Sequence, residues 1–131
     1  MVKRMMGIVF AALLVLPGER AQASYDYFPH LITLIAQLAN LAAEADNCER
    51  QLTFYARKGL ESEACRNFKK NYYSQWADRE ALQEEILSYV LRSEAGEFVC
   101  DERCRDMLMR CEELRITIAY VLDYMEFALD Y

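Results

Sequence analysis

Apolar residues recur in steps of three and four along most of this chain, and that spacing restricts it to helical folds. A helix presents residues at this spacing on one face, and no stretch alternates apolar and polar residues long enough to predict a strand. The first run starts after Pro29, a residue favoured at the first position of a helix, and stops at Lys58 and Gly59. We predict one helix of roughly 30 residues here. Its core-facing residues are Leu31, Leu34, Leu38, Leu41, Ala45, Cys48, Leu52 and Tyr55.

A second apolar stripe reaches almost to the C-terminus and contains three of the five cysteines. The charged residues between its members, such as Glu102, Arg105 and Glu112, face solvent if the stripe faces the core. We therefore predict a long last helix with sulfur atoms on its buried face. The stripe consists of Cys100, Cys104, Met107, Cys111, Leu114, Ile118, Val121, Met125 and Ala128.

The N-terminal residues have the three parts of a secretory signal peptide. Lys3 and Arg4 give a positive start, an apolar run follows from Met5 to Leu16, and Ala21 to Ala23 supply the small residues that signal peptidase recognises. The apolar run is shorter than the roughly 20 residues of a membrane-spanning helix. We therefore predict cleavage after Ala23.

Cleavage divides the chain into a signal peptide, residues 1–23, and a single helical domain, residues 24–131. We expect the domain to be periplasmic or secreted, with no membrane insertion once the signal is removed. Export exposes cysteines to an oxidising environment that favours disulfide bonds. Because their number is odd, at least one thiol stays free, pairs with another molecule or binds a ligand. The disulfide candidates are Cys48, Cys65, Cys100, Cys104 and Cys111.

The segment from Ser62 to Ala95 is either one helix or two. A single helix would place the polar residues Gln75 and Arg79 on its buried face, and Asp78 is a residue typical of a helix N-cap. No glycine or proline marks a break at this point, however. Two alternatives follow: a four-helix up-down-up-down bundle stapled by disulfides, or three long helices.

The cysteines favour the four-helix bundle. In the three-helix alternative, Cys48 and Cys65 lie about 20 Å from the other cysteines, beyond the reach of a disulfide. In the four-helix bundle all five converge at one end, which suits an exported protein better. The expected bridges are then Cys48 to Cys111, and Cys65 to Cys104 or Cys100. A bridge between Cys100 and Cys104 is disfavoured, because helical residues four apart rarely allow relaxed disulfide geometry.

The same convergence allows a second interpretation, a site for a soft metal ion. Thiolates and a thioether facing into a bundle suit Cu(I). Its ligands would be Cys48, Cys65, Cys100, Cys104, Met107 and Cys111. In the preferred interpretation no cofactor or metal is bound, and these residues are structural.

The composition gives little support for an enzyme. His30 is the only histidine in the sequence. We expect it to lie in the first turn of a helix, where an exposed side chain is a simpler interpretation than a catalytic one. The net charge is −6 and becomes more negative once the signal peptide, with its excess of basic residues, is removed. An acidic protein of this kind disfavours nucleic acid as a partner and is compatible with a basic protein.

Aromatic residues suggest where such a partner would bind. We expect Phe68, Tyr72 and Trp76 to pack in the core, whereas Tyr73 is exposed. The tail YVLDYMEFALDY carries tyrosines at helical spacing among acidic residues, and tyrosine commonly anchors protein interfaces. We predict a small exported, non-catalytic protein-binding module, of the inhibitor or immunity-protein type, whose oligomeric state the sequence leaves open. The predicted partner-binding residues are Tyr73, Tyr120, Asp123, Tyr124 and Tyr131.

Overall fold

A computed structural model describes the backbone of residues 17–130 and the side chains of residues 29–130. The described part is helical throughout, apart from short connections. Its elements are α1 (Pro17–Tyr55), a 3₁₀ helix (Ala56–Glu61), α2 (Glu63–Gln75), α3 (Arg79–Glu94) and α4 (Glu102–Leu129). The predicted all-α class, four helices and disulfide bonds are confirmed.

The first helix begins earlier than the sequence predicted. Pro29 lies inside α1 instead of at its start. A proline removes one backbone hydrogen bond from a helix interior, and the helical backbone extends on both sides of this one. The core-facing positions of α1 are buried as predicted, except Tyr55, which is exposed because α1 ends there. The apolar run of the predicted signal peptide lies outside the described residues.

The predicted break between two middle helices is confirmed. α2 ends at Gln75, and Trp76 has an extended backbone that stops the helix. Asp78 is the N-cap of α3, and its Oδ1 accepts a hydrogen bond of 2.8 Å from the backbone N–H of Ala81. The indole of Trp76 is buried under this connection. A side-chain cap and a buried tryptophan thus replace the glycine or proline expected at a break.

α1 and α2 run in opposite directions. Cys48 of α1 is bonded to Cys65 of α2, and Asn71, further along α2, donates a hydrogen bond of 2.7 Å to Glu44, earlier in α1. Residues later in α2 therefore contact residues earlier in α1, so the two helices are antiparallel.

α3 continues in the direction of α2 instead of reversing it. Leu34, in the N-terminal half of α1, lines a cavity together with Tyr89, in the second half of α3, and Trp76. The end of α3 therefore lies beside the N-terminal half of α1. The predicted up-down-up-down order required α3 to run back toward Gly59, and this predicted direction of α3 is wrong. The short extended connection offsets α3 from α2 without turning the chain around.

α4 reverses direction and runs alongside α1. Arg79, at the start of α3, forms ion pairs with Asp123 and Glu126, near the end of α4, so α3 and α4 are antiparallel. α4 packs on α1, on α3 and on the 3₁₀ helix. The directions of the four helices are therefore up, down, down, up, because α2 and α3 follow one another in the same direction. A single core joins all four helices.

Candidate functional site

The two disulfides join cysteines that are close in sequence. Cys48 and Cys65 link α1 to α2 with their Cα atoms 4.4 Å apart, and Cys100 is bonded to Cys104 with a Cα separation of 5.1 Å. Cys111 is a buried free thiol. The predicted bridges from Cys48 to Cys111, and from Cys65 to Cys104 or Cys100, are therefore wrong.

The helix start explains why the disfavoured bridge forms. Asp101 is the N-cap of α4, and its Oδ1 accepts a hydrogen bond of 2.9 Å from the backbone N–H of Cys104. Cys100 precedes this cap and has no helical backbone. The geometric objection to residues four apart applies within a helix, and this pair crosses a helix boundary.

The sulfur atoms do not converge as the metal interpretation required. The described residues contain no group of three or more histidine, cysteine, aspartate or glutamate side chains placed to hold a metal ion. Four of the six predicted ligands are in disulfides, and Met107 is half-buried. Burial, with a smaller contribution from the Glu112 carboxylate, raises the pKa of the Cys111 thiol to about 11, so at neutral pH it is a protonated core residue.

The predicted partner-binding residues lie on two different surfaces. Tyr120 and Asp123 are exposed on α4, where Tyr124 is half-buried beside them. Tyr73 is also exposed, on α2. Tyr131 lies outside the described residues.

Two of these residues already have neighbours within the protein. The carboxylate of Asp123 is paired with the guanidinium of Arg79, which also contacts Glu126 at 3.0 Å. The Glu49 carboxylate of α1 raises the pKa of the Tyr120 phenol. The rings of Tyr120 and Tyr124 meet edge to face with centroids 6.2 Å apart, so intramolecular contacts orient this end of α4.

α4 carries an exposed apolar stripe, of which only Tyr120 is among the predicted partner-binding residues. Met109, Ile116, Tyr120 and Phe127 are each more than half exposed, and they fall on the helix face opposite the core. We call these four residues the outer face of α4. At 1.5 Å per residue the face is about 27 Å long. Its spacing of seven, four and seven residues is itself a helical repeat, and Met109 and Ile116 extend it beyond the tyrosine-rich tail in which the sequence predicted a binding surface.

The exposed carboxylates around this stripe make it acidic. Asp106 and Glu113 lie along one flank, and Asp123 and Asp130 along the other. Arg110 offsets part of the charge through a contact of 3.6 Å with Glu113, and Arg79 offsets a further part through its pair with Asp123. The outer face of α4 thus combines large apolar side chains with a surplus of negative charge.

A separate cleft lies between α2 and α4. It has a volume of about 330 Å³, with Leu122, Met125 and Leu129 on the α4 side. Arg66 and Lys69 lie on the α2 side, so apolar and basic groups share one concave surface.

Known proteins provide no guide to either surface. No protein family model, no curated protein and no solved structure matches the chain. No helix among the described residues is both long and apolar enough to cross a bilayer. The outer face of α4 and the cleft are therefore the features of the molecule that bear on function.

Proposed function

We propose that this protein is an exported, non-catalytic binding module that docks on a basic protein partner through the outer face of α4. The observation that carries the proposal is the row of four large apolar side chains exposed along one helix. Exposed apolar patches of this extent on small proteins commonly mark interaction sites. Aromatic residues such as Tyr120 and Phe127 are typical anchors of interfaces, because they bury a large area with few rotatable bonds.

Charge specifies the kind of partner. The carboxylates flanking the stripe and the negative net charge of the whole chain favour a surface rich in lysine and arginine, with apolar pockets between the charges. Docking of this type would cover a basic site on the partner, which is how an inhibitor or immunity protein acts. Steering by charge also makes association depend on ionic strength.

Paired variants test the proposal. Tyr120→Ala with Phe127→Ala removes the two aromatic anchors, whereas Phe54→Ala with Tyr55→Ala removes the same two residue types from the exposed end of α1. Both variants are immobilised beside the wild type and incubated with periplasmic extract of the source organism. Bound proteins are identified by mass spectrometry, and affinities are then measured with the purified partner.

We expect one partner with a basic surface, bound by the wild type and by the α1 variant but at least tenfold more weakly by the α4 variant. Affinity should fall as salt concentration rises. A partner that both variants bind equally well would contradict the proposed surface. If sedimentation instead shows a wild-type dimer that the α4 variant dissociates, the outer face serves self-association and the proposed basic partner is wrong.

A further inference from the structure

The cleft between α2 and α4 has the composition of a binding site for a small amphiphilic anion. Its apolar side is formed by Leu122, Met125 and Leu129 of α4, and its volume of about 330 Å³ lies within the range of small-molecule sites. Leu122 and Met125 are largely buried, so packing fixes the deep part of the cleft. Leu129 is more than half exposed and lies at the rim.

The charged groups of the cleft are not equally available. The Glu126 carboxylate is held by Arg79 at 3.0 Å. The guanidinium of Arg66 donates a hydrogen bond of 2.6 Å to the backbone carbonyl of Glu61. Lys69 is exposed and forms no ion pair with any described residue. An incoming anion therefore meets two positive groups and one carboxylate, whose negative charge Arg79 offsets in part.

Tyr73 is a further polar residue that lines the cleft. Its ring meets the ring of the buried Tyr72 edge to face, with centroids 5.0 Å apart. This contact restricts the orientation of Tyr73 at the cleft. A phenol hydroxyl can donate a hydrogen bond to a carboxylate.

We propose that the cleft binds a medium-chain fatty acid, with the hydrocarbon chain against Leu122, Met125 and Leu129 and the carboxylate at Lys69 and Arg66. The distribution of apolar and basic groups supports this orientation. A neutral amphiphile would form no ion pair with the two positive groups, and a cationic amphiphile would be repelled by them. The inference is independent of the protein partner proposed above, because the cleft and the outer face of α4 use different residues.

The test uses decanoate below its micellar concentration and the full-length chain. Calorimetry measures binding to the wild type, to Lys69→Gln and to Lys70→Gln. The two variants remove the same charge from adjacent positions of α2, and only Lys69 lines the cleft. Octanoate and decyltrimethylammonium serve as a shorter chain and a cationic head group.

We expect one decanoate to bind per protein. Octanoate should bind at least about tenfold more weakly than decanoate, because it lacks two methylenes and each buried methylene raises the affinity about threefold to fourfold. Lys69→Gln should weaken decanoate binding roughly tenfold, since the charge-assisted hydrogen bond is lost, whereas Lys70→Gln should not. Equal weakening by both variants, comparable binding of the cationic amphiphile, or no decanoate binding at millimolar concentration would each overturn the proposal.

Methyl NMR locates the ligand. Met125 lies in the cleft and Met109 on the outer face of α4, so the two methyl groups report on the two surfaces separately. We expect decanoate to shift the Met125 resonance and to leave the Met109 resonance in place. A shift confined to Met109 would show adsorption on the outer face and contradict a site in the cleft.

Discussion

Gly59 packs directly on the backbone of Gln51, so closely that a Cβ atom at residue 59 would lie 2.5 Å from the Gln51 carbonyl oxygen. The obstacle is backbone, which cannot rotate away as a side chain would. We predict that Gly59→Ala lowers the free energy of unfolding by about 2–3 kcal/mol, because the 3₁₀ helix must move off α1. Urea denaturation followed by circular dichroism measures this change.

Ala56→Gly is the matched control, since it replaces alanine by glycine in the same 3₁₀ helix, the reverse of Gly59→Ala. Ala56 has a φ of 49°, a left-handed conformation that glycine adopts more easily than alanine. This variant should leave stability unchanged or raise it slightly. An unchanged unfolding midpoint for Gly59→Ala would show that the contact with Gln51 relaxes without cost.

The two disulfides should stabilise the protein unequally. In the chain-entropy account, a bond across 17 residues constrains the unfolded chain by about 3 kcal/mol and one across four residues by about 2 kcal/mol. Replacing Cys48 and Cys65 together by alanine should therefore destabilise more than replacing Cys100 and Cys104. Urea denaturation of both double variants tests the order, and a larger loss from the second pair would contradict it.

The cap residues show how much of the fold could be predicted. Asp78 favoured the break between α2 and α3, although local signals alone left one helix or two open, because a capping aspartate acts on backbone groups within its own turn. The apolar spacing likewise predicted which faces of α1 and α4 are buried. Both features depend on interactions between residues that are close in sequence.

The direction of α3 and the cysteine pairing depended on geometry that local patterns do not contain. Asp78 marks where a helix begins but carries no information on whether the chain reverses there. The four-helix prediction depended on convergence of the cysteines, and the bridges that this convergence implied do not form. Local pairing satisfies four cysteines without convergence. The tyrosine-rich tail indicated the C-terminal end of the exposed stripe on α4, whereas Met109 and Ile116 lie apart among charged residues and give no comparable signal.

Ionisation of Cys111 should limit stability at alkaline pH. Its thiol has a pKa of about 11 in the folded protein, raised from 9.0 by burial. An unfolded chain therefore loses this proton at lower pH than the folded protein, so stability is intact below about pH 9 and decreases as pH rises toward 11. We expect this group to lower the free energy of unfolding by roughly 2 kcal/mol at pH 11.

Cys111→Ala removes that pH dependence and isolates it from other groups. The variant should be less stable than the wild type at pH 7, because a buried side chain is shortened, but the difference should narrow between pH 9 and 11. Unfolding free energies at several pH values give the comparison. A constant difference across this range would mean that the thiol does not titrate in the unfolded chain as assumed.

The ion pairs of Arg79 between α3 and α4 should make a modest contribution to the free energy of unfolding, and that contribution should depend on salt concentration. Its guanidinium pairs with Asp123 and Glu126 at the surface, where such pairs are worth about 0.5 kcal/mol each. We predict that Arg79→Gln lowers the free energy of unfolding by about 1 kcal/mol at low ionic strength and by less in 1 M salt. Lys70→Gln, which removes an exposed charge elsewhere, is the control. A loss that salt does not reduce would indicate packing of the arginine stem instead of charge.

Tyr72 carries the one buried side-chain polar atom, within the described part of the protein, that has no hydrogen-bond partner. Its ring is fully buried, and burial raises the pKa of the phenol to about 12. Removing an unpartnered hydroxyl deletes a desolvation cost without breaking a bond. Tyr72→Phe should therefore leave the stability at pH 7 unchanged or raise it by up to about 1 kcal/mol.

The same substitution has a second consequence at high pH. Because the folded pKa of Tyr72 lies above the usual value of 10.0, the wild type loses stability as pH rises from 10 toward 12, and Tyr72→Phe lacks this contribution. The exposed Tyr55→Phe, at a tyrosine remote from Tyr72 in the chain, is the control and should behave as the wild type. Unfolding measured at pH 7 and above pH 10 distinguishes the outcomes, since a clear loss of stability at pH 7 would mean that the Tyr72 hydroxyl has a partner in solution.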